Sequence, residues 1–458
     1  MRILVLQFVA SVRGRPVPRF EPQLGTLLAL LRSRGHELAL LGLDRYDAAL
    51  IKGAVAQHLP QLVYADISLV CADIARRCLE HLAGQEFLPV VAGGLYPAVD
   101  PAGALSLPGV QAVALGEPDA TFVTYLERIK DPAAGQVVHG VWLRDERGLA
   151  RPQMPPLIEE LDSLPLPERD LFGYAEHVRR TGVVEVAIGR GCPQRCAYCP
   201  NATIAELYGQ LGPAGPTEQF VRRRSAANIL DELDQLRARY EPVRAVRFLD
   251  HTFAQDEGWL AEFLDPYVYR CALPFYCHLR LNRVTARVAR LLDDAGCAGV
   301  DVELISGSDF LRNEVFAMGL SSAEIEAAFA RLQQTRLRVR AIVYLGAPYE
   351  SPVSLEHTRD LLRRLRPHSV DVRAYYPFPG TAAAQLCQES GWLHARGEEQ
   401  YHGDQPGIDL PACRPGPTMA FVRRLRSEWA AGSDQPWWRR WSRAPLHALE
   451  RLFRRAPR

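Results

Sequence analysis

The sequence lacks both a long apolar run and an excess of charge of either sign. Its 458 residues include 54 basic and 53 acidic ones, so a formal net charge of +1 provides no global field to attract nucleic acid. No run of about 18 uncharged apolar residues occurs, and the first residues lack the pattern of a secretory signal. We therefore expect a soluble, cytoplasmic protein with no nucleic-acid partner.

Lysine is also scarce, because only Lys52 and Lys130 occur, and we interpret this bias as genomic rather than functional. Hydrophobic residues make up 48% and charged residues 23%, the balance of a globular protein, and the length predicts two or three domains. Ten cysteines in a cytosolic chain favour buried thiols or a metal site over disulfides.

The first 130 residues alternate short apolar runs with amphipathic stretches. The strands are predicted at 3–8, 38–43, 67–70, 90–92 and 112–115. This alternation indicates a parallel sheet wound on both faces, whose ligands bind beyond the carboxyl ends of the strands. The candidate residues at those ends are Gln7, Ser68, Gly93, Gly94, Gly116 and Glu117.

The rest of the chain divides into three further regions. Residues 131–180 are proline-rich and predict a linker. Residues 181–390 contain six βα units, with strands at 183–189, 243–250, 275–281, 299–305, 338–346 and 370–376, which predicts a partial (β/α)6 barrel. Residues 391–458 form a C-terminal region without clear order.

The end of that region is rich in tryptophan and arginine. Trp437, Trp438 and Trp441 alternate with Arg439, Arg440 and Arg443. One interpretation is a partly disordered basic terminus, and the other is a basic aromatic helix that contacts anionic lipid at the inner membrane face or the leader of a peptide substrate.

Three cysteines follow the first predicted barrel strand at the spacing C-x3-C-x2-C. Cys192, Cys196 and Cys199 lie in a loop punctuated by glycine and proline. A structural zinc would recruit a fourth ligand nearby, and the loop has none, so a 4Fe-4S cluster with one open iron fits better. The alternative is three core cysteines at chance spacing. The other seven are expected to be small buried hydrophobes.

This loop resembles the signature of the radical S-adenosylmethionine (SAM) superfamily, including an aromatic residue, Tyr198, before the third cysteine. The rest of residues 1–390 resembles its cobalamin-binding branch of methyltransferases, which are class B enzymes. The supporting motifs are Pro22-x-Leu24-Gly25, Val91-Ala92-Gly93-Gly94, Leu115-Gly116-Glu117-Pro118, Gly346-x-Pro348 and Pro377-x-Pro379-Gly380-Thr381.

The resemblance implies three cofactors: a 4Fe-4S cluster, SAM and cobalamin. It implies a Rossmann-like cobalamin-binding sheet and an enzyme that makes a 5′-deoxyadenosyl radical, abstracts a substrate hydrogen and transfers methyl from methylcobalamin to an unactivated carbon or a phosphinate. No D-x-H-x-x-G run occurs, so histidine ligation of the cobalt is not expected. No catalytic side chain beyond the cluster ligands is predicted.

The resemblance also places cofactor-binding residues. Gly93, Gly94, Gly116 and Glu117 would approach cobalamin, and Tyr198, Asp250, Arg280 and Ser306 would contact SAM. Asp250 could instead cap the helix that starts near Asp256. The family pattern Glu-Ser-Gly reads Ile305-Ser306-Gly307 here, and Glu303, placed on the same strand face by simple alternation, is the expected substitute.

The sequence leaves the substrate and the type of reaction open. The resemblance implies an electron donor such as flavodoxin or ferredoxin, and the substrate is a small molecule, a lipid or a peptide. A radical cyclase or rearrangement enzyme without methyl transfer is the second hypothesis. A non-catalytic cobalamin or cluster sensor is the third.

Overall fold

A computed structural model describes residues 1–10, 18–84, 88–130, 138–143, 153–212, 215–395 and 397–429. The strands are β1 Arg2–Phe8, β2 Glu37–Leu43, β3 Leu62–Ile67, β4 Val90–Gly93, β5 Val110–Ala114, β6 Val141–Leu143, β7 Val183–Val186, β8 Gly189–Arg190, β9 Leu211–Gly212, β10 Gly215–Pro216, β11 Arg222–Arg223, β12 Ala245–Phe248, β13 Phe275–Leu279, β14 Cys297–Ile305, β15 Arg338–Leu345 and β16 Ser369–Ala374.

The helices lie mainly between these strands. They are α1 Pro22–Ser33, α2 Ala48–His58, α3 Ala72–Ala83, α4 Leu95–Val99, α5 Pro101–Leu105, α6 Pro118–Lys130, α7 Tyr174–Thr181, α8 Asn201–Leu207, α9 Ala226–Arg239, α10 Glu257–Arg270, α11 Ala286–Asp294, α12 Ser322–Leu332, α13 Pro352–Leu365, α14 Ala382–Glu389, α15 Glu398–His402 and α16 Pro415–Glu428. The predicted mixed α/β class with parallel sheets is confirmed.

The chain forms two compact units. Within the described ranges, the first contains residues 1–174, 193–222 and 377–386, and the second contains 175–192, 223–376 and 387–429. The division falls inside the cysteine motif, so Cys192 belongs to the second unit, and Cys196 and Cys199 belong to the first. No helix in the described part of the chain is long and apolar enough to span a bilayer.

The first unit is built on a six-stranded sheet of order β2-β1-β3-β4-β5-β6. Strands β1 to β5 are parallel, and β6 pairs antiparallel with β5. The order reverses between β1 and β3, and in such sheets the ligand crevice opens at that switch point, beyond the carboxyl ends of the two strands.

The third strand lies earlier than the sequence analysis predicts. It spans Leu62–Ile67 rather than 67–70, because residues 62–65 provide the buried apolar run and the chain turns after Ile67. The turn is closed by a hydrogen bond from the Cys71 amide to the Ser68 carbonyl. The polar residue nearest the carboxyl end of this strand is therefore Asp66, just before Ile67, and the sequence analysis did not single it out.

The second unit is built on a parallel sheet of order β16-β15-β14-β13-β12-β7. Each strand matches a predicted one to within a few residues. Aromatic side chains fill the layer between β12, β13 and α10, with Phe248 in contact with Phe253, Phe263 and Phe275.

Helices α15 and α16 fall in the C-terminal region for which the sequence analysis predicts no clear order. The predicted tryptophan- and arginine-rich tail lies outside the described residues beyond residue 429.

Candidate functional site

The cysteine loop begins where the chain leaves the strands β7 and β8. Gly191, just before the first cysteine, has a φ of +84°, a conformation that side chains disfavour, so a glycine suits this entry to the loop. Cys192 and Cys196 are buried, while Cys199 and Tyr198 are partly exposed. The Cys199 amide donates to the Cys196 carbonyl at 3.0 Å, which forms the turn before α8.

All ten cysteines lie in described ranges and none forms a disulfide. The seven outside the loop are buried, which confirms the expectation for them. Across the described ranges, no three His, Cys, Asp or Glu side chains stand in an arrangement that would by itself hold a metal ion. Cluster ligation by Cys192, Cys196 and Cys199 therefore stays a prediction.

Asp250 binds the backbone just after β7, where the chain approaches the cysteine loop. Its two carboxylate oxygens accept hydrogen bonds from the amides of Ile188, at 2.7 Å, and Gly189, at 3.0 Å. Burial raises the pKa of Asp250 to about 6, while these bonds and the charge of Arg223 act in the opposite direction. Helix α10 is capped by Asp256 and not by Asp250, so that alternative is wrong.

A cleft at the carboxyl ends of β12, β13 and β14 brings two predicted residues together. It is lined by His251, His278, Leu279, Arg280, Leu281, Asn282, Asp301, Glu303, Met318 and Leu320. Arg280 and Glu303 thus line the same cleft, whereas Asp250 is not part of the lining. The cleft combines a guanidinium, two carboxylates and two imidazoles.

The imidazoles of the cleft form a pair that the sequence analysis assigned no role. The rings of His251 and His278 stack with centroids 4.3 Å apart. Burial, followed by the charge of His251, lowers the pKa of His278, so this ring is neutral at pH 7. The sequence places both residues near the site, because each lies at the end of a barrel strand, but neither has a partner at metal-ligand spacing.

Asp301 is a negatively charged group next to the imidazole pair, with its carboxylate 3.7 Å from the His278 ring. Burial acts to raise the pKa of Asp301, but hydrogen bonds and charge from Arg340 overcome that effect and lower it. The Arg340 Nε donates to Asp301 at 2.7 Å, and Arg247 lies 3.4 Å from the same carboxylate. The carboxylate is therefore ionised and compensated by two guanidinium groups.

A bulge in β14 breaks the alternation on which the substitution of Glu303 rested. Glu303 pairs with Ile342, yet Ile305 pairs with Val343, so one extra residue is inserted in β14. Ile305 has a φ of +61°, which is strained for a β-branched residue, and it is fully buried. Glu303 lines the cleft, whereas the bulge turns the side chain of Ile305 toward the opposite face of β14.

Ser306 is completely buried next to the bulge. Its hydroxyl accepts a hydrogen bond from the Ser308 amide at 3.2 Å and lies 3.4 Å from the Thr358 hydroxyl. A contact between Ser306 and SAM stays a prediction, and it would require the hydroxyl to exchange these partners.

The glycines at the strand ends of the first unit each have an intramolecular neighbour that excludes a side chain. A Cβ on Gly93 would overlap the Tyr64 hydroxyl, and one on Gly116 would overlap the Tyr208 hydroxyl. A Cβ on Gly94, whose φ is +94°, would lie 2.8 Å from an Asp66 oxygen. Packing within the unit therefore explains these glycines, and a role in approaching a cofactor stays a prediction.

Glu117 is engaged in a buried ion pair within the first unit. Its carboxylate accepts from Arg222, with 2.5 Å between Nη2 and Oε1, and its amide donates to the Tyr208 hydroxyl at 2.7 Å. Arg222 also donates to the Ile158 carbonyl. The sequence gives no signal for this contact, because Tyr208 and Arg222 are about a hundred residues away from Glu117.

Comparison with known proteins identifies the segment that carries the cysteine loop. The profile of the Radical SAM superfamily matches residues 186–362. An uncharacterized methyltransferase of Pyrococcus horikoshii is 24% identical over 307 residues, covering 66% of this chain and 63% of that protein. Cytidylyl-2-hydroxyethylphosphonate methyltransferase of Streptomyces wedmorensis is 25% identical over 340 residues, covering 66% of this chain and 61% of that protein.

The chain thus spans somewhat less than two thirds of the length of both relatives. Among solved structures, the radical SAM methyltransferase TsrM of Kitasatospora setae, with cobalamin and a [4Fe-4S] cluster bound, superposes with a TM-score of 0.66 at 18% identity. The superposition covers 85% of this chain and 75% of TsrM, and it shows a common fold. Residues 186–362 therefore match the Radical SAM superfamily, which confirms the predicted resemblance to it, and the chain shares the fold of a cobalamin-bound methyltransferase of that superfamily.

Proposed function

We propose that the chain is a cobalamin-dependent radical SAM methyltransferase that acts on an unactivated carbon or a phosphinate. The observation that carries the proposal is the cysteine loop, which follows a parallel strand inside the segment that matches the superfamily profile. The names of the two methyltransferase relatives support the transfer of a methyl group.

Cys192, Cys196 and Cys199 would hold the cluster. Three thiols with no fourth ligand nearby suit a cubane with one open iron, and two of the three are buried, which protects a cluster from solvent. When bound, the cluster would supply the electron that cleaves SAM to the 5′-deoxyadenosyl radical. Asp250 would set the direction in which the chain enters the loop, since it fixes both amides just ahead of it.

SAM would occupy the cleft between β12, β13 and β14. The Arg280 guanidinium suits the methionine carboxylate, and Glu303 suits the amino group, because the two opposite charges line the same cleft. The second sheet would be the partial (β/α)6 barrel of the family, as its sequential strand order supports.

Cobalamin would bind at the carboxyl edge of the first sheet, the Rossmann-like domain of the family. The order reversal between β1 and β3 supports this site, because ligands of such sheets bind beyond the strand ends at the reversal. When bound, the corrinoid would carry the methyl group to be transferred. The chain's own contribution there would be to hold the corrinoid without a histidine ligand and to exclude water.

The remaining parts of the proposal concern partners. The electron donor would be a flavodoxin or a ferredoxin. The substrate would be a small molecule, and the phosphonate named for the Streptomyces relative supports a phosphorus-containing compound.

Anaerobic reconstitution with iron and sulfide, followed by incubation with SAM, hydroxocobalamin and a strong chemical reductant, tests the proposal. We expect a brown protein that releases 5′-deoxyadenosine, for which the reductant supplies the electron, and S-adenosylhomocysteine, which is left when SAM methylates the reduced cobalamin. Cys196→Ala should lose the iron, whereas Cys387→Ala, which removes a buried thiol outside the loop, should retain it. Iron retained by Cys196→Ala would refute the cluster assignment, and 5′-deoxyadenosine without S-adenosylhomocysteine would favour cyclisation or rearrangement.

A further inference from the structure

Four polar side chains lie at the carboxyl edge of the first sheet near its switch point, and three of them are engaged by the protein itself. The Gln7 amide exchanges two hydrogen bonds with the Arg19 backbone, each 2.7 Å long. The Ser68 hydroxyl lies 3.1 Å from the Cys71 sulfur. The Glu117 carboxylate is paired with Arg222.

Asp66 is the fourth, and it stands at the switch point itself. The register pairs it with Gln7 on β1 and with Gly93 on β4, so its side chain belongs to the row of residues that ends the central strands. It is half-buried, and among the described residues its carboxyl makes no hydrogen bond. A half-buried carboxyl that makes no hydrogen bond within the protein is available to a ligand at this edge of the sheet.

The surroundings of Asp66 favour its protonated form. Burial and the nearby carboxylate of Glu21, the residue that caps α1, raise the pKa of Asp66 to about 8. Two further polar side chains lie close to Asp66 in the sheet: Tyr64, two residues earlier on the same strand, and Gln7, its register partner on β1. Neither side chain carries a charge at pH 7. A neutral carboxyl is a hydrogen-bond donor, whereas an ionised one is an acceptor only.

We propose that Asp66 is a binding residue for the corrinoid and that its carboxyl donates a hydrogen bond to an amide oxygen at the rim of the corrin ring. This inference rests on the proposed function, because it places cobalamin at this sheet. The corrin rim carries several primary amides, whose oxygens are good acceptors. Gly94 contributes by leaving room, since a Cβ there would lie 2.8 Å from the Asp66 oxygen.

Affinity for methylcobalamin tests the inference without any turnover. The probe keeps its own charge in this range, so its dissociation constant can be measured by absorbance titration at about pH 6 and about pH 9.5, on either side of the Asp66 pKa of about 8. We expect the parent to bind about tenfold more weakly at the higher pH, because the ionised carboxyl has lost its proton.

Two substitutions distinguish the hydrogen-bond donor of Asp66 from the other effects of its side chain. Asp66→Asn keeps a donor that does not titrate, so it should bind at both pH values as the parent does at low pH. Asp66→Ala should bind about tenfold more weakly than the parent at low pH and show no pH dependence. Asp47→Asn is the matched control, because Asp47 is also half-buried in this unit but caps α2, a role that Asn fills equally well.

The outcomes distinguish the two proposals. If the parent binds methylcobalamin but its affinity is independent of pH and equal to that of Asp66→Ala, the role of Asp66 is refuted and the proposed function stands. If the parent binds no methylcobalamin at all, the proposed function fails and this inference fails with it. Circular dichroism of each variant shows whether the fold is retained, and Asp66→Asn tests the pH dependence even if Asp66→Ala does not fold.

Discussion

The carboxylate of Asp250 accepts the backbone amide of Ile188 at 2.7 Å, four residues before the first cysteine of the loop. Together with the second bond, from Gly189, it ties the end of β12 to the entrance of the loop. Charge-assisted hydrogen bonds of this kind contribute about 1.5–3 kcal/mol each. The contact links the stability of the sheet to the position of Cys192.

Replacement of Asp250 tests this link. Asp250→Asn keeps one acceptor but turns an amino group toward the second amide, so we expect the free energy of unfolding to fall by about 2 kcal/mol and iron retention after reconstitution to decrease. Urea unfolding and iron analysis measure both. Asp256→Asn is the control, because Asn remains a good helix cap. Unchanged iron content in a destabilised Asp250→Asn would argue that the bond serves the sheet alone.

Glu350 should make stability depend on pH. It is fully buried, and burial raises its pKa to about 7, while amide hydrogen bonds from Gly346 and Ala347 act against that rise. Between about pH 4.5 and pH 7 the folded protein holds a proton that the unfolded chain has lost, so stability falls as the pH rises through this window.

The expected size of the effect is about 3 kcal/mol at most. The measurement is the free energy of unfolding of the parent and of Glu350→Gln at several pH values. The variant cannot ionise, so its curve should be flatter between pH 4.5 and pH 7. Parallel curves would contradict the prediction.

Gly94 and Gly35 provide a matched pair for the crowding around Asp66. Both have a positive φ, of +94° and +77°, so an alanine costs roughly 1 kcal/mol of backbone strain at either position. At Gly35 the added Cβ meets open space, whereas at Gly94 it meets Asp66 and the Ile67 backbone. Gly94→Ala should therefore lower the melting temperature clearly more than Gly35→Ala does. Equal shifts in melting temperature would show that Asp66 and the Ile67 backbone move aside for the added Cβ at little cost.

The ion pair of Glu117 and Arg222 should be strongly non-additive. Both side chains are buried, so Arg222→Ala leaves an uncompensated carboxylate and should cost about 3–5 kcal/mol. The double variant Glu117→Gln with Arg222→Met removes both charges and should cost much less than the summed losses of the single variants Glu117→Gln and Arg222→Met. Urea unfolding of the parent, the two single variants and the double variant measures this, and additive losses would contradict the coupling.

Arg280 should control affinity for SAM if the cleft binds it. Arg280→Ala removes the guanidinium from the cavity wall and should weaken SAM binding about tenfold or more, as expected for a lost charge-assisted bond. Equilibrium dialysis of the reconstituted protein measures the affinity. Arg283→Ala removes an exposed guanidinium three residues later, outside the cleft lining, and should bind SAM as the parent does.

The sequence predicts most of the strands because buried parallel strands are short apolar runs between punctuating glycines and prolines. The strand β3 is the exception. Its last residues include a tyrosine and an aspartate, so the apolar signal points to the turn that follows, and Asp66 is overlooked for that reason.

Side-chain partners were harder to predict than strands. Arg280 and Glu303 could be placed together because each lies at a strand end, and parallel strand ends meet at one edge. The same argument brings His251 and His278 to one edge, although it does not predict that their rings stack. The pairing of Glu117 with Arg222 joins residues about a hundred positions apart, of which only Glu117 was expected at a strand end, so a single sequence does not reveal it.

The inserted residue in β14 limits what position 305 can carry. A glutamate at that position would lie beside Val343 in a fully buried place, where an ionised group is costly. The backbone there is also in the left-handed region, with a φ of +61°, which most side chains disfavour. Replacing Ile305 to restore the family's glutamate would therefore add a desolvated charge at a strained position and would place no carboxylate next to Glu303.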